Sequence, residues 1–356
     1  MRNSPAGVFR KGLMDAVKLV EPTGLLYGNE AVAAVKAGVA LPFAGGPVAF
    51  ALAFLWDGAQ RTGPVPVERI PAGWREAMRM VTTAPPSCGL PVGATVMGIL
   101  NVTPDSFSDG GDYESPEAAT RQIGVLQNGG ARIIDVGAES TRPGAAAVSL
   151  EDEWRRLKPA VERLRQAGAV ISVDTRNART MEAAVDAGAA LVNDVSALRH
   201  DPDAAPMLAT KECAVALMHM RGEPATMDML TDYHDIGVEV VRELAAAVRD
   251  AENAGIDRSR ILVDPGFGFA KTRAQNYELL RRLPILANLG CRVLVGLSRK
   301  RMIGDVTDVA EARLRDPGTV AANIPGLVFS DAILRVHDAQ AMTQAVKVWE
   351  ALCATA

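Results

Sequence analysis

The stretch ATVMGILNVTPDSFSDGGDYESPEAATRQIGVLQNGGARIIDV (94–136) decides the fold. It opens on an apolar run at Val96 to Leu100, crosses a loop rich in Asp, Ser and Gly, and takes up helical periodicity from Ser115. A second apolar run follows at Arg132 to Val136. Short apolar runs bounded by turn residues read as buried strands. Two strands joined through a helix, and not through a tight turn, lie parallel.

The unit repeats toward the carboxy terminus. Further strands are expected at Val170 to Val173, Leu191 to Asn193, Ala214 to Met218, Ile261 to Val263, Arg292 to Val295 and Ala332 to Val336. Helices are expected to begin near Leu150, Asn177, Asp203, Asp235, Arg273, Lys300 and Ala339. Eight β-then-α units over roughly 260 residues match an α/β fold of the (β/α)8 TIM-barrel type, which takes about 250. A doubly wound sheet is the alternative, but it usually carries a glycine-rich phosphate loop after its first strand, and neither GxGxxG nor GxxxxGK[ST] occurs here.

Upstream, residues 64 to 93 are rich in Pro and small residues, as in PVPVERIPAG and TTAPPSCGLPVG, which marks an irregular connection. The expected organisation is an extension over 1–93, of mixed or helical structure, and a barrel over 94–356. Ala37 to Trp56 carries no charge and has the length of a membrane helix. Pro42, Gly45, Gly46 and Pro47 interrupt it, so it is read as a turn between two short buried elements, with no membrane span expected. Arg2, Arg10 and Lys11 are not followed directly by an apolar segment, so no signal peptide is expected.

Composition narrows the function. With 38 Lys+Arg against 42 Asp+Glu and 4% aromatic residues, the chain has neither the basic surface nor the stacking platforms of a nucleic-acid binder. The 48% apolar and 22% charged content belongs to an ordinary globular protein. The four cysteines, Cys88, Cys213, Cys291 and Cys353, form no CxxC, which fits a reducing cytoplasm without structural zinc.

Polar residues fall at strand ends. Asn101 follows the first strand, Asp135 and then 139–142 close the second, and Asp174 closes the third. Asn193 and Asp194 end the fourth, His219 and Met220 the fifth, and Asp264 the sixth. Ser298 to Lys300 end the seventh, and Arg335 with His337 the eighth. In a barrel these ends meet at one rim, where active sites are built. Each Asp or Asn taken singly is equally explained as a helix cap or turn residue, Asp174-Thr175 and Asn193-Asp194 above all. His219, ending an apolar strand, reads as a satisfied wall residue ahead of a catalytic base. Capping does not explain Arg142, Lys300, Arg335 and His337 at the same rim.

Two chemistries separate. Asp174, Asn193, Asp264 and Lys300 offer acceptors and donors for a flat heterocycle. Asn101, Thr141, Arg142, Arg335 and His337 offer what a diphosphate with a divalent ion requires. No Ser-His-Asp or Cys-His nucleophile is evident, which favours positioning and leaving-group stabilisation.

The chain resembles the dihydropteroate synthases through MGILNVTPDSFSDGG (97–111), IIDVGAESTRPGA (133–145), ISVDT (171–175) and LVNDVSAL (191–198). LMHMRGEPATM (217–227), DPGFGFAKT (264–272), VGLSRKRMIG (295–304) and LRVHD (334–338) continue the match. The resemblance implies a (β/α)8 barrel that condenses 6-hydroxymethyl-7,8-dihydropterin diphosphate with 4-aminobenzoate, giving 7,8-dihydropteroate and diphosphate. It makes Asp174, Asn193, Asp264 and Lys300 pterin residues, with Met220 and Phe269 packing near the ring. It makes Asn101, Thr141, Arg335 and His337 the diphosphate site, with Asn101 a Mg²⁺ contact. Asp105, and Thr141-Arg142-Pro143, resemble parts of two loops that close over the substrates. Ser298 and Arg299 resemble the resting place of the benzoate carboxylate at a helix start.

The resemblance also implies a homodimer. Departures from the family pattern are Ala138, where a second Gly is usual, Ser330-Asp331-Ala332 in place of Gly-Ala-Asp, and Pro325-Gly326 before the last strand. A pterin-dependent methyltransferase is a second reading, expected to lack the two loops together. A non-catalytic pterin-binding paralogue is a third, expected to have lost diphosphate residues.

Overall fold

The uncharged stretch at 37–56 folds back on itself as antiparallel strands in the computed structural model, which describes residues 18–102, 116–138 and 149–355. Strand β1 (Leu19–Leu26) pairs with β3 (Ala49–Asp57), which also pairs with β2 (Leu41–Pro42) and β4 (Gln60–Pro66). Helices α1 (Gly28–Lys36) and α2 (Arg75–Thr82) complete this part. The expected interruption lies between β2 and β3. There Gly45 sits at φ 68°, and a Cβ on it would lie 2.5 Å from Ala84 Cβ, so only glycine turns the chain at that point.

The apolar content of the stretch is consumed internally: Phe43, Val48, Ala49, Phe50 and Ala53 are buried together with Val20. Trp56 Nε1 donates to Glu21 Oε2 at 2.8 Å, which satisfies the indole inside the sheet. No helix among the described residues is long and apolar enough to cross a membrane. The chain divides into two compact units. One comprises Met1–Ala84 with Pro284–Gly290 and Cys353–Ala356, and the other Pro85–Leu283 with Cys291–Leu352.

Eight parallel strands close into a barrel in the second unit. They are β5 (Thr95–Asn101), β6 (Ile133–Gly137), β7 (Val170–Asp174), β8 (Leu191–Asp194), β9 (Ala214–Met218), β10 (Ile261–Asp264), β11 (Arg292–Val295) and β12 (Ile333–Val336). Each expected strand is present within a residue or two of its expected bounds. Between them run α3 (Pro116–Asn128), α4 (Leu150–Gln166), α5 (Ala178–Asp186), α6 (Ala204–Ala209), α7 (Ile236–Asn253), α8 (Arg273–Arg281), α9 (Arg301–Thr307) and α10 (Asp316–Asn323). Helix α11 (Ala339–Cys353) follows the last strand. Helix α10 was not among the expected helices. Pro325-Gly326 falls just after it in a 3-10 turn, Ile324–Val328, where Gly326 packs close to Val295 and Leu334.

Register decides what faces the barrel axis. Met97, Ile133, Leu191, Leu262, Leu294 and Ile333 form the lower interior layer, packed with Cys88 and Leu90 of the connection before β5. Side chains on a strand alternate, so the residue two further along points to the same face. Two residues beyond Ile133, Leu191, Leu262 and Ile333 stand Asp135, Asn193, Asp264 and Arg335. An apolar plug thus supports a polar layer toward the carboxyl ends of the strands. Each fully buried Leu or Ile of the plug contributes about 1.5–3 kcal/mol relative to exposure.

Below the plug, the wholly buried Arg292 donates to the carbonyls of Asp331 (2.5 Å), Ser87 (3.1 Å) and Pro91 (2.8 Å), and to Thr95 Oγ1 (3.2 Å). Asp331, one of the departures from the family pattern, therefore belongs to the closure of the barrel bottom.

Candidate active site

At the centre of the polar layer is Asp135, which is fully buried. Its Oδ1 accepts from Ser172 Oγ at 2.5 Å. Its Oδ2 accepts from Arg335 Nε at 2.6 Å and from Asn193 Nδ2 at 3.2 Å. Arg335 Nη2 reaches Asp174 Oδ2 at 2.8 Å, so one guanidinium bridges carboxylates from β6 and β7. Such charge-assisted bonds are the strong ones. They join Arg335, expected at the diphosphate, to Asp174, expected at the pterin. In the sequence Asp135 stands at a strand end, outside both groups of polar residues. The signal that would have found it is its two-residue offset from Ile133 on an interior face.

Turn and site roles are divided between neighbours. Asp194 serves its own loop, accepting from the Ser196 and Leu198 N–H groups at 2.7 Å each, while Asn193 faces Asp135. Thr175 Oγ1 accepts from the Asn177 N–H at 3.2 Å and donates to the buried Glu153 at 2.7 Å, which leaves Asp174 to Arg335. Burial raises the Asp174 pKa to about 7, with Asp135, Asp194 and Glu153 adding to the effect and Arg335 opposing it.

Asp264 accepts from the Gly266 N–H at 2.6 Å, and burial raises its pKa against the pull of Lys300. Lys300 Nζ donates to the Phe267 carbonyl and lies 4.6 Å from the centre of the Phe269 ring. Burial lowers its pKa to about 8, with Asp264 opposing the shift and Arg335 adding to it. Phe269 packs on Met218, Met220 and Met227 with Val195, so Met220 and Phe269 share one apolar cluster.

At the last two strands, Ser298 Oγ lies 2.8 Å from His337 Nδ1 and accepts from the His337 N–H at 3.1 Å. That contact joins the carboxylate candidate to the diphosphate candidate. Arg299 is turned to Asp316, donating from Nε at 2.7 Å and Nη2 at 2.6 Å, so its guanidinium is committed to α10. A cleft of about 180 Å³ opens beside His337, lined by Arg299, Asp316, Asp338 and Gln340 among others. Asn101 ends β5 exposed. Asp105, Thr141, Arg142 and Pro143 lie outside the described residues. His219 is buried and hydrogen-bonded through both ring nitrogens, as a wall residue would be.

The family model described as "Pterin binding enzyme" matches residues 97–337. The dihydropteroate synthase of a Synechocystis strain is 45% identical over 273 residues, covering 74% of this chain and 94% of its own. The chain belongs to the dihydropteroate synthase family.

A solved Xanthomonas albilineans dihydropteroate synthase with 4-aminobenzoic acid is 47% identical at a TM-score of 0.68, covering 74% of this chain and 93% of its own. The same enzyme in complex with 7,8-dihydropteroate gives 45% identity and a TM-score of 0.66, over 73% and 93%. The dihydropteroate synthase fold thus accounts for the barrel, and membership makes the chain a transferase of the folate pathway.

Proposed function

We infer that this barrel condenses 6-hydroxymethyl-7,8-dihydropterin diphosphate with 4-aminobenzoate to give 7,8-dihydropteroate and diphosphate. The observation that carries the site assignment is the layer of Asp135, Asp174, Asn193, Asp264, Lys300 and Arg335, closed on an apolar wall of Met220 and Phe269. Asp264 and Asn193 pair with the donors and acceptors of the pterin edge, and Lys300 donates to a ring acceptor. Arg335, braced by Asp135 and Asp174, presents its remaining donors at the same level.

The reaction is dissociative. The bond from the pterin methylene to oxygen breaks with both electrons leaving on diphosphate. The carboxylates of Asp174 and Asp264 favour the positive charge that develops on the pterin. The neutral aniline nitrogen of 4-aminobenzoate then donates its lone pair to the methylene carbon and loses a proton. His337, assigned to the leaving diphosphate, and Ser298, assigned to the benzoate carboxylate, are in mutual contact.

A divalent cation fits the donors present: Asn101 offers one exposed amide oxygen at the rim, and Mg²⁺ is ordinarily bound by few protein oxygens plus phosphate and water. When bound there, Mg²⁺ would neutralise charge on the diphosphate. Asp105, Thr141, Arg142 and Pro143 complete the proposed site. The four cysteines, all buried and none in a disulfide among the described residues, support a cytoplasmic location. The protein is proposed to act as a homodimer, whose contact would cover exposed apolar residues such as Ile324 and Val348.

Diphosphate release is the test. The wild-type chain should release one diphosphate per dihydropteroate formed, given both substrates and Mg²⁺. Asn101→Ala should lower turnover on the order of 10²-fold while pterin binding stays measurable by calorimetry. Pterin binding without diphosphate release from the wild type would favour the non-catalytic paralogue.

A further inference from the structure

The loop 264–272 that follows β10 is held from behind by one amine. Lys271 is buried, and its Nζ donates to the carbonyls of Gly266 at 2.9 Å and Phe269 at 3.0 Å. Its third partner is His219 Nδ1, at 2.9 Å. On the far side of the imidazole, Nε2 lies 3.0 Å from Glu243 Oε2.

Burial and then the neighbouring Lys271 pull the His219 pKa down to about 4, so the ring is neutral near pH 7. One tautomer satisfies both contacts: Nε2–H donates to Glu243 and the Nδ1 lone pair accepts from Lys271. Glu243 is anchored in turn by Arg221, whose Nε donates to it at 3.0 Å and whose guanidinium lies 3.7 Å from the centre of the Tyr233 ring. Tyr233 Oη returns to the loop, donating to the Ala270 carbonyl at 3.1 Å.

The loop has little freedom to settle elsewhere. Gly266 sits at φ 65°, and a Cβ on it would lie 1.9 Å from the His219 carbonyl oxygen. The carbonyls that Lys271 holds, at 266 and 269, bracket Phe267, whose own carbonyl accepts from Lys300, and fix Phe269, whose ring lies against the same ammonium. Lys271 itself is bonded away from the polar layer, to backbone and imidazole.

We propose that Lys271 is a positioning residue for pterin recognition: its three hydrogen bonds set the 264–272 loop so that the Phe267 carbonyl and the Phe269 ring place the Lys300 ammonium. The inference rests on the dihydropteroate synthase reading of the site and assigns to its specificity a residue with no place among the substrates. A general loosening of the barrel would weaken both substrates alike. Loss of this brace acts on the pterin alone.

The test compares wild type with Lys271→Met in the full chain, by calorimetry with 6-hydroxymethyl-7,8-dihydropterin diphosphate and by the KM of each substrate. Removing the three hydrogen bonds of this buried amine should raise the pterin Kd and KM by about ten-fold, and leave the KM for 4-aminobenzoate within about two-fold. A folded Lys271→Met protein with unchanged pterin affinity, or with equal losses for both substrates, overturns the proposal while the wild-type activity stands. Should that variant not fold, Glu243→Gln loosens the same chain from its other end and should raise the pterin Kd by about three-fold; no change there overturns the proposal. A wild-type chain that binds no pterin overturns this inference and the functional reading together.

Discussion

Arg292 and Arg335 enter the barrel from its last two strands, one at the bottom and one in the polar layer. Arg292 has no exposed side-chain surface and donates to backbone carbonyls and the Thr95 hydroxyl, with the nearest Asp331 carboxylate oxygen 3.7 Å away. Arg335 keeps 22% of its side chain exposed and is bonded to two carboxylates. Burial lowers the Arg292 pKa. Burial acts in the same sense on Arg335, but Asp135 and Asp174 outweigh it and raise the value. An arginine spent on neutral backbone ties segments together. One braced between carboxylates and still open to the rim holds a polar surface ready for a ligand.

Substituting each arginine separates the two roles. Arg335→Lys keeps the charge but loses the fork, and should lower kcat/KM for the pterin substrate on the order of 10²-fold, about 2.7 kcal/mol in transition-state stabilisation, with little change in melting temperature. A comparable fall in melting temperature and a small kinetic effect would reverse the assignment. Arg292→Met should do the opposite. Leaving several buried carbonyls without a donor costs about 3 kcal/mol of stability, read from denaturant unfolding, while kcat per folded molecule stays near wild type.

The smallest expected effect is in pH. Asp174, raised to about 7, loses its charge as pH falls through that value, and Lys300, lowered to about 8, loses its charge as pH rises through that one. The kcat/KM for the pterin substrate should therefore be bell-shaped, with limbs near 7 and 8. Because the folded Asp174 pKa lies above its unfolded value, its contribution to stability is complete below pH about 4 and is lost as pH rises toward 7. Asp174→Asn should flatten that part of the stability profile. A slope unchanged by the substitution would show that Asp174 is not the group responsible.

Much of this was legible in the chain because it is local. Eight apolar runs separated by helical periodicity specify parallel strands whatever their neighbours, and PFAGGP breaks a run that length alone would assign to a membrane. The motif residues at strand ends followed from position along the chain. Less accessible were the contacts that pair distant segments. Position and charge at the end of the eighth strand group Arg335 with the diphosphate residues, yet its partners are 200 and 161 residues away, on β6 and β7. Lys271 reads as one more polar residue before a helix cap until His219, 52 positions earlier, is brought against it.

The sequence by itself determined the barrel, the family and the rim on which the site is built, since periodicity, turn chemistry and motif order are properties of consecutive residues. Only the tertiary structure decided which carboxylate braces which cation, which of two adjacent polar residues caps a turn and which faces the axis, and that a buried amine stands behind the 264–272 loop. Those outcomes depend on strand register and on the desolvation that closure of the barrel imposes, neither of which exists until the strands meet.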